Sequence, residues 1–277
     1  MRYLILTSLL SLSILLNAQE ATFYEAELRT DGLANDWALS ELAEDEKTGF
    51  FTGVKNDEEH LYLIFQSKDQ RTLQKALAAG MSLSLKAKTK PKLNVKIDYP
   101  LAAEQGQGRG GFARPGGGSG NQRSPEERQQ MMMDRMNTML ATKVKGKFKG
   151  LSTTEGTLMV EESETVKVAL GLEPEGSSPT FNYELRIPLI ELFGQTADWD
   201  KMTSSPITIA FTVKALSNPA NGADNAGFSR GGGRGGAGGG RAGAAGRGGA
   251  RRGANSAANS EMFSAQTVKV SYLLKRQ

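Results

Sequence analysis

Apolar residues fall at every second position in two stretches, 81–88 (MSLSLKAK) and 93–99 (LNVKIDY). Strict alternation puts them on one side of a strand, so both stretches predict members of a sheet with one wet face. Denser runs at 50–55 (FFTGVK) and 60–66 (HLYLIFQ) flank the polar cluster 56–59 (NDEE) and predict a hairpin. Further strands are expected at 142–148, 156–160, 165–172, 181–187, 207–216 and 267–274. That makes about ten strands with turn signals at sandwich-like spacing. Two helices interrupt them. Asp69 can cap one that runs to Ala79, with Leu73, Ala76 and Leu77 on one face and Gly80 as its stop. Ser124-Pro125-Glu126-Glu127 opens the other as a capping box with proline in the first turn. Met132, Met136, Met139 and Leu140 then recur at helical spacing. Thioethers also bind copper(I), but this spacing is that of one stripe laid on a core.

Two segments break the pattern. Residues 104–123 (EQGQGRGGFARPGGGSGNQR) and 218–260 are Gly-rich and hold too little apolar surface to offset the entropy of ordering. Both lie between strand or helix signals, so they read as disordered insertions within one domain spanning 19–277. The overall expectation is a mainly β chain, an antiparallel β-sandwich with two short helices. At the start, Arg2 precedes an apolar run at 4–16, and Asn17-Ala18-Gln19 offers a small residue for cleavage. This pattern predicts a signal peptide at 1–18 and export to the periplasm, cell surface or exterior. No later stretch has the length and apolarity of a transmembrane helix.

Composition then narrows the chemistry. The chain has no cysteine and one histidine, His60, which removes disulfides, thiolate catalysis, Cys-based zinc sites and any His cluster. His60 reads as a surface turn residue, with no Gly-x-Ser-x-Gly motif near it. The net charge of +4 is local in origin. Arg230, Arg234, Arg241, Arg247, Arg251 and Arg252 sit in the second Gly-rich segment against a single acid, Asp224. The rest of the chain is close to neutral and shows no basic stripe of a nucleic-acid-binding surface. Clustered acids (Glu41, Glu44, Asp45, Glu46; Glu161, Glu162, Glu164) read as solvated faces, and no catalytic pair stands out among them.

The order Asp31-Gly32…Asp36-Trp37, then the Asn-Asp-Glu-Glu turn with Leu61-Tyr62-Leu63, then Glu184-Leu185-Arg186-Ile187-Pro188, resembles the family-9 type of carbohydrate-binding module and its wider β-sandwich relatives. The resemblance implies a β-sandwich that, in its sugar-binding members, holds a terminal sugar between aromatic rings and uses calcium structurally. It puts Trp37 and Pro188 at scaffold positions. The chain itself has only two tryptophans and no Asp/Asn loop with the spacing of a strong calcium site.

Two candidate binding surfaces follow, beside the alternative that the chain is a structural or interaction protein of the cell envelope that binds no such ligand. A pyranose stacks its C–H face on a flat aromatic ring while nearby acids and amides take its hydroxyls. Trp199, flanked by Asp198 and Asp200, fits that chemistry; the alternative is that it plugs one end of the sandwich. The six arginines could instead hold an anionic polymer by charge and guanidinium stacking. Export would separate them from cytoplasmic RNA, leaving surface polysaccharide, lipid head groups or extracellular DNA. A tolerated low-complexity insertion explains the same tract, since long loops add little closure entropy.

Overall fold

A computed structural model of the chain describes residues 19–20, 22–23, 28–89, 92–102, 124–175, 179–195, 198–217 and 261–276. The expected signal peptide, both Gly-rich segments and the six arginines lie outside the described residues. In chain order the elements are β1 (Gln19–Glu20), β2 (Thr22–Phe23), β3 (Ala43–Asp45), β4 (Phe50–Asn56), β5 (His60–Ser67), α1 (Gln70–Ala79), β6 (Met81–Ala87) and β7 (Leu93–Asp98). They continue with α2 (Pro125–Ala141), β8 (Lys145–Lys149), β9 (Gly156–Met159), β10 (Lys167–Glu173), β11 (Thr180–Pro188), α3 (Leu189–Phe193), α4 (Trp199–Thr203), β12 (Ile207–Val213) and β13 (Gln266–Leu273).

The strands form two sheets. The first runs β1-β13-β12-β6-β7-β8-β9, and the second runs β10-β11-β5-β4-β2 with β3 also paired to β4. Pairing is antiparallel except where β1 meets β13 and β2 meets β4. The molecule is therefore mainly β and a sandwich. The facing sides bury Leu83, Leu85, Val95 and Ile97 from the first sheet and Leu61, Leu63, Tyr183 and Leu185 from the second. Aromatic contacts bridge the layers: the Phe211 ring of β12 lies 5.5 Å from that of Phe65 and 6.0 Å from that of Tyr183.

Local chemistry explains the ends of the helices. The Asp69 carboxylate accepts from the Arg71 amide at 3.1 Å, and Gly80 ends α1 at φ 84°. Ser124 and Glu127 close the capping box of α2, whose Met136 and Leu140 are buried and whose Met132, Met133 and Met139 pack at the edge of the core. The strand expected from 142 begins at Lys145, because α2 runs to Ala141 and Thr142 caps it. Strand β3 and the five-residue helices α3 and α4 carry no strong periodic signal in the sequence. The stem of the second Gly-rich segment is fixed to α1. The buried Lys75 ammonium donates to the carbonyls of Glu261 and Ser264 and to Gln266, at 2.8–3.1 Å, and the Leu216 amide donates to Met262.

The two sheets differ on their outer sides. The first follows strict alternation, with Ser82, Ser84, Lys86, Asn94 and Lys96 turned outward between buried apolar neighbours. In the second, β5 and β11 are buried almost continuously along both faces. Something must cover that second face, and it is the segment 28–42.

Candidate functional site

On the covered face the side chains alternate as the pleat requires, and many of them are polar: Lys55, Gln66, Asn182 and Glu184 beside Tyr62 and Ile64, all buried. A buried polar group is costly unless it is bonded, and segment 28–42 supplies the partners. The Glu184 carboxylate accepts from the amides of Gly32 (2.9 Å) and Asp31 (3.1 Å) and from the Trp37 indole N–H (3.0 Å). Burial pushes this carboxyl up to about 7, against the downward pull of the three donors. Asn182 donates to the Gly32 carbonyl and accepts from Gln66. The Lys55 ammonium donates to the Asp36 carbonyl at 2.7 Å, pairs with Glu41 at 2.8 Å and lies 4.8 Å from the centre of the Trp37 ring.

Two glycine positions make this cover fit. Gly32, at φ 83°, lies against the backbone of β10, where a Cβ would come within 2.6 Å of the Leu170 carbonyl carbon. A Cβ on Gly53 would stand 2.9 Å from both the Trp37 ring and the Leu42 side chain. Segment 28–42 is therefore a strap bound to the sheet by its backbone amides, one indole and close packing.

At one edge of the strap the sheet surface remains open. A single cross-strand row there reads Lys167, Arg186, Tyr62, Lys55 across β10, β11, β5 and β4. Tyr62 is bonded to Asp57 (2.7 Å) and Lys55 to Glu41, and Lys167 and Arg186 line a cleft of about 670 Å³. Arg29, Thr30 and Asp31 of the strap also line it, as do Val160 and Glu161. The Lys167 ammonium donates to the Ser163 carbonyl at 2.8 Å, and the Asp31 carboxylate accepts from the Leu33 amide at 2.9 Å. Three cations, two carboxylates and a few aliphatic side chains thus meet in an open, polar cleft. No histidine lines it. This chemistry suits recognition of a hydroxylated or anionic ligand.

The structure separates the residues singled out in the sequence. Trp37 is buried in its own small cluster with Leu28, Tyr62 and Ile64. Pro188 ends β11 opposite His60, whose ring sits beside Asp57 and Tyr62 at the start of β5. Trp199 begins α4 and packs part of its ring against the main core. Asp198 caps that helix through the Asp200 amide, and its bonds to Lys201 and that amide hold it below the usual carboxylate range. Asp200 is exposed. None of the three lines the cleft. Among the described residues no group of three or more His, Cys, Asp or Glu stands together, so the calcium implied by the resemblance has no cluster of acids to hold it there. No described helix is long and apolar enough to cross a membrane.

Sequence reasoning passed over Glu184 and Arg186 although both lie in the quoted Glu-Leu-Arg-Ile-Pro run. Their spacing of two was the available signal, since it puts both on the face opposite Leu185 and Ile187. Compared with known proteins, the chain matches no family model, no curated protein and no solved structure.

Proposed function

We propose that this chain is an exported, non-catalytic binding module for a carbohydrate polymer, with the cleft beside the strap as its binding site. One observation carries the reading most directly. Gly32 and Trp37 of the opening motif and Glu184 of the late strand motif, which together underlie the resemblance to carbohydrate-binding modules, are joined by direct hydrogen bonds. An open polar cleft lies next to that junction, with charged groups to take hydroxyls. Binding fits the cleft better than catalysis does. Its two carboxylates, Asp31 and Glu161, are both exposed to solvent.

Affinity gels containing neutral and acidic polysaccharides test the reading. The chain should be retarded by at least one polymer. Thr30→Trp, which fills the cleft mouth, should abolish retardation, and Trp199→Ala should leave it intact. Changing the six arginines of the Gly-rich segment to Gln should also leave it intact. Retardation by no polymer contradicts the reading. Release of reducing ends from a bound polymer contradicts its non-catalytic part. Loss on Trp199→Ala alone moves the site to α4.

A further inference from the structure

Beyond the cleft, we infer that the outer face of the first sheet docks on an anionic lipid bilayer, held there by the charge of its lysines. Strand register assembles this face from distant parts of the chain. One unbroken cross-strand row reads Lys269, Ala210, Ser84, Lys96, Lys149 across β13, β12, β6, β7 and β8. Lys86 stands two positions beyond Ser84 on β6, and Lys145 and Lys147 precede Lys149 on β8 with the same alternation. All six lysines are exposed, and Lys88 and Lys92 extend the basic surface into the turn between β6 and β7. The near neutrality of the folded part, counted along the chain, averages over this uneven distribution.

Acids do not offset it. In β6 to β9, β12 and β13 the one acid is Asp98, which is bonded to Lys214 at 2.7 Å and to Lys96 at 3.3 Å. Edge strand β1 adds Glu20, in register with Leu273 at the end of the sheet away from β8. Glu155 precedes β9, and Glu161 and Glu162 follow it, with Glu161 lining the cleft. Among the described residues Lys86, Lys145, Lys147, Lys149 and Lys269 form no ion pair with any of these acids. Lys149 stands directly opposite Lys96, and like charges so placed repel. A layer of anions over the face relieves that repulsion.

The shape of the face selects a plane. Strand spacing gives the row a span of about 19 Å, and the β8 lysines extend about 14 Å at right angles to it. A bilayer surface meets this two-dimensional array all at once, whereas a single extended polymer meets it along one line. Between the lysines stand short side chains, Ser82, Ser84, Thr208 and Thr212, so the lysines reach furthest outward. Every cation on these strands is a lysine, a compact hydrated point charge without the directed fork that arginine offers a single phosphate or base edge. The aromatic residues of these strands, Phe148, Phe211 and Tyr272, are buried, so none can stack a base. Docked in this way, the sandwich turns the strap and its cleft, which lie outside the other sheet, away from the bilayer.

The test is co-sedimentation of the full chain with vesicles of phosphatidylcholine alone and of equal parts phosphatidylcholine and phosphatidylglycerol. A lysine near such a charged surface contributes about a fivefold factor. Wild type at low salt should therefore prefer the charged vesicles by at least about a hundredfold, and about 1 M salt should remove the preference. The combined variant Lys86→Gln, Lys147→Gln, Lys149→Gln should weaken binding to charged vesicles about a hundredfold and leave binding to neutral ones unchanged. Lys47→Gln, Lys68→Gln and Lys201→Gln together remove the same charge elsewhere and should stay near wild type. Thr30→Trp in the cleft and the six-arginine variant should keep the preference. Equal partitioning of wild type onto both vesicles overturns the inference and leaves the cleft reading untouched. Equal loss in the two lysine variants also overturns it, making net charge the cause. Loss confined to the six-arginine variant overturns it and assigns binding to the Gly-rich segment. Retention on an acidic polysaccharide gel that only the face variant loses, without a vesicle preference, overturns the bilayer in favour of a polymer.

Discussion

The outer faces of the two sheets begin from the same strand chemistry and end differently. On the first sheet, Ser82, Ser84 and Lys86 alternate with buried Leu83 and Leu85, and water completes the outer side. On the second, Tyr62, Ile64, Asn182 and Glu184 occupy the equivalent outward positions, and the strap takes the place of water. A solvated face satisfies its polar groups at no structural cost. A covered face must provide a partner for each, and it does so with the Gly32 and Asp31 amides, the Trp37 indole and the Asp36 carbonyl. The covered face also has an edge where the cover stops. That edge is where charged side chains, held by a sheet that is packed on both sides, can meet a ligand in a fixed geometry.

The sharpest break in this contrast is Trp37→Ala. It removes the ring that fills the strap and strands one oxygen of Glu184, so it should lower stability by about 3–5 kcal/mol, the usual range for truncating a buried Trp. Urea denaturation measures it. A loss below about 1 kcal/mol would mean that the strap is not packed as described.

Glu184 comes next and depends on pH. Its carboxyl stands near 7 in the folded chain and near ~4.3 when unfolded, so the folded state binds the proton more tightly. Its contribution is complete below ~4.3 and is lost as pH rises through about 7, a change on the order of 3 kcal/mol. The melting temperature of wild type should carry this downward component between those pH values, and Glu184→Gln should remove it. Parallel curves for the two proteins would contradict the assignment.

Gly171→Ala should follow. Its new methyl group would press on the Gly32 carbonyl, an overpacking cost of about 1–3 kcal/mol read from thermal melts. Lys86→Ala, on the solvated face of the first sheet, should stay within about 0.5 kcal/mol of wild type. If the two substitutions cost the same, the contrast between the faces fails.

Much of the sandwich was legible in the sequence because most of its strands report their environment by alternation. The 81–88 run became β6 with its polar side chains outward, and the NDEE turn joins β4 to β5. The strap was not legible in this way. Residues 28–42 have no period, and their role depends on meeting β10 and β11, which lie more than a hundred positions away in the chain. The dense runs of β5 and β11 did carry a hint, since strands buried on both faces lose their alternation. Trp37 was readable as scaffold from its motif, but its partner Glu184 was not, because a lone acid in a strand pattern looks solvent-facing. The cleft was less legible still. Lys167 and Arg186 become neighbours only through strand register, and composition had pointed to Trp199 and to the arginine tract.

The most direct measurement is an amide-resolved NMR titration of the chain with an oligosaccharide of the polymer that retards it. The account predicts shifts concentrated at residues 28–32, 160–162, 167–168 and 186, with the amides of β6 and β7 and those of 198–203 unmoved. Shifts centred on Trp199, or confined to the Gly-rich segments, would contradict it.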